Sequence, residues 1–202
     1  MPLHDNAHWA RYNGSQGGRA ARPLCLDAIR LLPPGAAVDL GCGAGIETRA
    51  LLDAGWRVHA VDASPETRAV LLRTIGGVHD RLTVDVRRYD ALDTLAPADL
   101  IYAGYSLPYQ PSDSFHRVWE VLRSVLRPDG VLAVNIFGDR DAWAGEPGMT
   151  FLSEPAARAI FTGLEIVSWH EEEGVGQGFS GPKHWHVFDV VARKFRTTTV
   201  VA

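Results

Sequence analysis

Between residues 38 and 45 the chain reads Val-Asp-Leu-Gly-Cys-Gly-Ala-Gly, a short apolar strand running into three alternating glycines before a helix opens at Ile46-Glu47-Thr48. Gly41, Gly43 and Gly45 remove the β-carbons that would keep a cofactor off the backbone, and they admit φ angles that other residues avoid. This is a nucleotide-binding turn. A dinucleotide fingerprint requires Gly-x-Gly-x-x-Gly, whose third glycine allows close helix–strand packing while a pyrophosphate sits on the helix N-terminus. Ile46 occupies that third place. Asp39 on the strand and Glu47 in the first helical turn would also repel a diphosphate. A cofactor carrying positive charge fits better.

Apolar runs bounded by turn residues alternate with amphipathic stretches along the chain, the pattern of a parallel sheet with helices on both faces. Helices are expected over 19–32, 45–53, 64–74 and 112–126, with a last one opening at Ser153-Glu154-Pro155. Strands are expected over 36–40, 57–61, 82–89, 100–104, 130–137, 164–169 and 185–194. The stretches Gly138 to Thr150 and Glu171 to Lys183 read as long loops, where substrate sites usually sit. Residues 1–18 form an N-terminal lid or flexible segment, 19–194 one domain, and 195–202 a frayed tail.

At 202 residues the chain suits one domain with a full core. No apolar run reaches the ~18 residues of a membrane span, and the polar start Met1-Pro2-Leu3-His4-Asp5-Asn6 lacks the apolar core of a signal peptide. The two cysteines, Cys25 and Cys42, form no disulfide framework, which suits a reducing cytoplasm. A formal net charge of −4 with scattered arginines provides no electrostatic footprint for nucleic acid. The expected partner is a small molecule, with neither nucleic acid nor membrane, for a monomer or homodimer.

Residues 38–45, followed by Val58-His59-Ala60-Val61-Asp62, resemble the class I S-adenosylmethionine-dependent methyltransferases. Leu126-Arg127-Pro128-Asp129-Gly130-Val131-Leu132 is similar to that family's entry into its fifth strand. The resemblance implies a single-domain α/β fold, a Rossmann-like seven-stranded sheet that is mostly parallel with its last strand antiparallel, and S-adenosylmethionine as cofactor. It implies that Gly41, Cys42, Gly43 and Gly45 meet the methionine part and that Asp62 accepts from the two ribose hydroxyls, a pairing favoured by charge-assisted bonds. Asp39 orients backbone near the amino group or serves structure. Ala63 lies against adenine, and Asp90-Ala91 meets the adenine edge, with Asp85 the competitor if the third strand stops early. Ala103 leaves room beside the sulfonium. Tyr12, in His8-Trp9-Ala10-Arg11-Tyr12, reaches the cofactor from the lid.

The acceptor side is expected at Tyr105, Ser106 and Tyr109, after the fourth strand. This segment lacks the Asn-Pro-Pro-Tyr or Asp-Pro-Pro-Tyr signature of methylases acting on adenine or glutamine. Lys183-His184-Trp185-His186 resembles the small-molecule branch related to the tellurite-resistance methyltransferases. His184 and His186, spaced by two on a strand, point to one face and are expected to border the acceptor with Tyr105 as catalytic residues once the Glu171 to Lys183 loop closes. They are not read as a metal pair, because a site would need a third ligand and a supporting shell. The activity expected is methyl transfer to an oxygen, nitrogen or other soft nucleophile of a small molecule. The rivals are a binding protein without turnover and a nicotinamide-dependent oxidoreductase.

Overall fold

The computed structural model describes residues 6–196. Two helices, α1 (Asn6–Ser15) and α2 (Pro23–Arg30), precede an alternation of β1 (Ala36–Leu40), α3 (Ile46–Asp53), β2 (Arg57–Asp62), α4 (Thr67–Ile75), β3 (Leu82–Val86) and β4 (Ala98–Ala103). There follow α5 (Ser112–Val125), β5 (Leu126–Phe137), α6 (Glu154–Ile160), β6 (Leu164–Gly178) and β7 (Gly181–Lys194). The strands form one seven-stranded sheet in the order β3-β2-β1-β4-β5-β7-β6. Pairing is parallel from β3 to β5 and antiparallel where β7 meets β5 and β6.

The central strands are continuous apolar runs because helices cover both faces. On one face, α5 contributes Phe115, Val118, Trp119 and Leu122, a single helical stripe. On the other, Leu24, Cys25 and Ala28 of α2, Leu51 and Leu52 of α3 and Leu71 of α4 close the second core. Strand order reverses between β1 and β4, and ligands of open α/β sheets bind outside the carboxyl ends of the strands at such a point.

Among the expected elements that differ, three bear on the site. The helix expected from Arg19 begins at Pro23, because a proline excludes the α region from the residue before it and Arg22 is extended at φ −65, ψ 145. The third strand stops at Val86, the register partner of the last residue of β2, and Tyr89–Ala91 is a 3-10 turn. The stretch from Glu171 to Lys183 is no loop: β6 and β7 stay paired out to Gly178 and Gly181. Glu-Glu-Glu-Gly-Val-Gly-Gln-Gly shows no apolar alternation because β6 is an edge strand that has run past the core.

Candidate active site

A cavity of about 640 Å³ opens at the carboxyl ends of β1, β2 and β4. The turn after β1 supplies its floor, with Gly41, Gly43 and Gly45 at φ 76, 49 and 82, angles that disfavour any β-carbon. Val61 O holds the turn by accepting from the amides of Gly41 (2.7 Å) and Cys42 (3.1 Å). Gly41, Cys42 and Gly43 line the cavity. Gly45 does not, since the space where its β-carbon would stand is taken by Leu71 of α4.

Asp62 and Ala63 line the same cavity. The Asp62 carboxylate is held by three donors: Gly43 N on Oδ2 (2.9 Å), and Ser64 N (2.8 Å) and Thr67 Oγ1 (3.1 Å) on Oδ1. A carboxylate has about four acceptor sites, so roughly one, on Oδ2, stays open. Full capture of two hydroxyls, as the sequence suggests, exceeds what this rotamer offers.

The other two acids near the turn serve the protein. Asp39 is buried, accepts from Thr48 Oγ1 at 2.5 Å, and does not line the cavity. Burial pushes its carboxyl up to about 7, against the Thr48 bond. Glu47 is also buried, and burial works against its charge, but the Arg19 fork (2.6 and 2.8 Å) and Arg22 (3.2 Å) outweigh that and hold the carboxyl below its ordinary value. Arg22 also donates to Tyr12 Oη at 3.0 Å, tying α1 to the cavity wall. Close by, Tyr102 borders the cavity, with its hydroxyl buried and without a hydrogen-bond partner. Neither Arg22 nor Tyr102 stands out in the sequence.

A second cavity of about 600 Å³ shares Trp9, Tyr12, Arg22, Tyr105 and Tyr109 with the first. Helix α1 and the β6–β7 tip meet above it, where Phe179 packs edge-on to His8 and Tyr12. Tyr105 sits between the cavities at φ 48, a left-handed angle rare for a side chain of its size. Its amide donates to Asn135 Oδ1 at 3.0 Å, and Asn135 Nδ2 donates to Asp189 Oδ1. Burial, then Asp189 and Glu172, push the Tyr105 phenol well above its ordinary value. Asn135 carries a signal the sequence analysis passed over: it is a polar residue inside the apolar run Val131 to Phe137, and a buried amide requires partners.

Residues 38–132 match a protein-family model described as a methyltransferase domain. The match covers β1 to the middle of β5, the stretch that builds the glycine turn and its neighbouring strands. TehB from Haemophilus influenzae is similar to this chain with a TM-score of 0.75 at 15% identity, over 94% of this chain and 66% of its own, so the chain spans about two thirds of TehB. The Burkholderia thailandensis 1,6-didemethyltoxoflavin-N1-methyltransferase, solved with 1,6-didemethyltoxoflavin and S-adenosylhomocysteine, gives 0.68 at 22% identity over 96% and 92%. The N-methyltransferase NodS from Bradyrhizobium japonicum, in complex with S-adenosylhomocysteine, gives 0.66 at 17% over 92% and 99%. Likeness at these identities is a likeness of fold. No curated protein matches the sequence.

Several expected residues lie off both cavities. Asp90 is exposed and bonded to Arg88, and Ala91 follows it in the 3-10 turn. Asp85 pairs with Arg87 at 2.6 Å. Arg88 and Tyr89 reach the wall instead. Ala103 is buried in the core while Gly104 lines the cavity. His184 and His186 do share a face, and it is the one turned away from both cavities, which His186 shares with the core residues Phe188 and Val190. Strand parity places Trp185 and Asp189 toward the second cavity, so His186 is buried against Gly138 and Glu171 and His184 pairs with Glu173. Glu171, Glu173 and His186 converge within 4.8 Å, but the Arg140 guanidinium already bonds both carboxylates. Among the described residues, no helix is long and apolar enough to cross a membrane.

Proposed function

We propose that the chain transfers a methyl group from S-adenosylmethionine to a small-molecule acceptor in the cytoplasm. The observation that carries the reading is the β-carbon-free turn facing Asp62 at the switch point, joined through Tyr105 to a second cavity large enough for an acceptor. The residues fit the cofactor. Gly41, Cys42 and Gly43 would take the methionine part. Asp62 keeps about one acceptor site for a ribose hydroxyl, and Ala63 borders the adenine. The Burkholderia thailandensis enzyme and NodS were both solved with S-adenosylhomocysteine.

When bound, the sulfonium supplies an electrophilic methyl group. The protein's part is to hold the nucleophile in line and keep water out. Trp9 and Tyr12 of α1 line the cavity, where their ring quadrupoles would favour a cationic ligand. Tyr105 is held as a neutral phenol by burial, so it serves as a hydrogen-bond donor between the chambers and not as a base. His184 and His186 drop out of the reading because neither lines either cavity. The two buried free cysteines accord with a reducing compartment.

The test is thermal denaturation with S-adenosylhomocysteine, NAD and NADP. A ligand at ~100 times its dissociation constant adds about 2.7 kcal/mol, and only S-adenosylhomocysteine is expected to do so. An equal or larger shift with NADP would point to an oxidoreductase. A homocysteine-release screen over alcohols, phenols, amines, carboxylates, tellurite and selenite separates an enzyme from a binding protein, which would show the shift without turnover.

A further inference from the structure

The second cavity has a composition that names a class of acceptor, if the methyltransferase reading above holds. We infer that this chamber binds an aromatic amine in its protonated form, the ring lodged among Tyr105, Tyr109 and Trp185 and the ammonium between Asp189 and Glu172, so that the ammonium is the recognition group and the nucleophile that takes the methyl group is a different, neutral heteroatom of the acceptor.

The walls come first. Tyr105 stands edge-on to Trp185 with ring centroids 5.9 Å apart, and Trp9 stands edge-on to Tyr109 at 4.9 Å. Trp143 and Phe179 extend the same wall. Rings arranged in this way offer faces to a flat ligand and to a cation, and either gains from the contact.

Charge then chooses between ligands of the same shape. Asp189 and Glu172 both line the chamber. Among the described residues, no cation is bonded to either one. Asp189 accepts one hydrogen bond, from Asn135, of the roughly four it can take. Burial and Glu172 push its carboxyl above the ordinary value, as expected where a carboxylate is partly removed from water without a counter-ion. His170, the register partner of Asp189, also lines the chamber but is exposed. Arg22, the chamber's permanent cation, is already committed to Glu47 and Tyr12 and lies over the Tyr105 ring at 5.1 Å.

An anionic aromatic would meet two carboxylates and be repelled. A neutral one would leave Asp189 unanswered. An ammonium would meet both acids, with charge-assisted bonds stronger than neutral ones. Tyr105 links this recognition to the first cavity, since the same Asn135 side chain bonds the Tyr105 amide and Asp189.

The experiment is calorimetric titration of the protein, saturated with S-adenosylhomocysteine, using benzylamine, phenethylamine and tryptamine and their acid counterparts phenylacetate, 3-phenylpropionate and indole-3-propionate. At least one amine is expected to bind ten-fold or more tightly than its acid. Asp189→Asn, which keeps an acceptor for Asn135, should weaken that amine at least ten-fold and leave S-adenosylhomocysteine affinity within two-fold. Glu172→Gln, on the exposed edge strand, should weaken it at least three-fold and carries the test if Asp189→Asn fails to melt cooperatively. No preference for any amine, or a preference that survives the substitutions, overturns the inference. Failure to bind S-adenosylhomocysteine overturns the methyltransferase reading instead.

Discussion

Asp62 and Asp39 stand a strand apart beside one turn, and their surroundings put them to opposite uses. Asp62 stays at the cavity wall with its rotamer fixed by Gly43 N, Ser64 N and Thr67 Oγ1. Asp62→Asn swaps acceptors for a donor and discards the charge, so calorimetry should show S-adenosylhomocysteine binding weakened by the ~1.5–3 kcal/mol of a charged hydrogen bond. Affinity within two-fold of the wild type would remove Asp62 from the cofactor site. Asp62→Ala should also lower the melting temperature, because it leaves two backbone amides without acceptors. Asp39 has no such outlet. Its folded carboxyl lies at about 7 against an ordinary 3.8, so the folded chain holds that proton more tightly than the unfolded one. The stability linked to it is complete below about pH 4 and is lost as pH rises through about 7. Asp39→Asn keeps an acceptor for Thr48 and carries no charge. It should flatten the stability profile between pH 4 and 7 and raise stability at pH 8 by up to about 4 kcal/mol. Urea unfolding at pH 5 and 8 checks this, and an equal change at both values would refute it.

The β6–β7 hairpin is the element where residue types were informative and their faces were not. Lys183-His184-Trp185-His186 reads the same for either strand parity, since a one-residue offset exchanges the two faces and both carry polar and aromatic groups. What resolves the parity is tertiary. Lys183 Nζ meets Asp141 at 2.5 Å and lies 3.5 and 3.8 Å from the ring centroids of Trp143 and Trp185. That contact pins the 138–150 segment, which contributes Pro147 and Met149 to the first cavity, onto β7. Both partners are nearly inaccessible, at 6% and 0% of side-chain surface. Removing one member of such a pair costs about 3–5 kcal/mol because the other charge stays buried alone. Lys183→Met is therefore expected to lower the melting temperature by roughly 10 °C, at ~2–4 °C per kcal/mol for a chain of this size. Adding Asp141→Asn should restore part of the loss. A double variant no better than the single one would show that geometry, not charge, is what Lys183 supplies.

At the scale of the whole molecule the fold was legible because its signals are local: a glycine turn after an apolar strand, an acid closing the next strand, and a helical stripe in α5. The half of the site built on the turn and Asp62 shared that legibility. The other half, Arg22, Tyr102 and the Asn135–Asp189 pair, is assembled from elements far apart in the chain, and no local pattern announces it. Helix α1 marks the border between the two kinds of information. Among the described residues, neither apolar core includes one from α1, yet Trp9, Tyr12 and Asn13, with Gln16 just after the helix, line the first cavity, and Asn13 packs over Gly43. A segment placed in this way would act as a lid, completing a site without holding up the fold. Deleting residues 1–18 should leave a chain that melts cooperatively within a few degrees of the full one. Its affinity for S-adenosylhomocysteine should fall at least ten-fold, through loss of the cavity wall and of the Tyr12 bond to Arg22. Calorimetry on the purified truncation decides between three outcomes. Unchanged affinity denies α1 the role of a lid, a chain that no longer folds moves the domain's start upstream of residue 19, and weakened binding on an intact fold establishes that α1 closes the cofactor cavity.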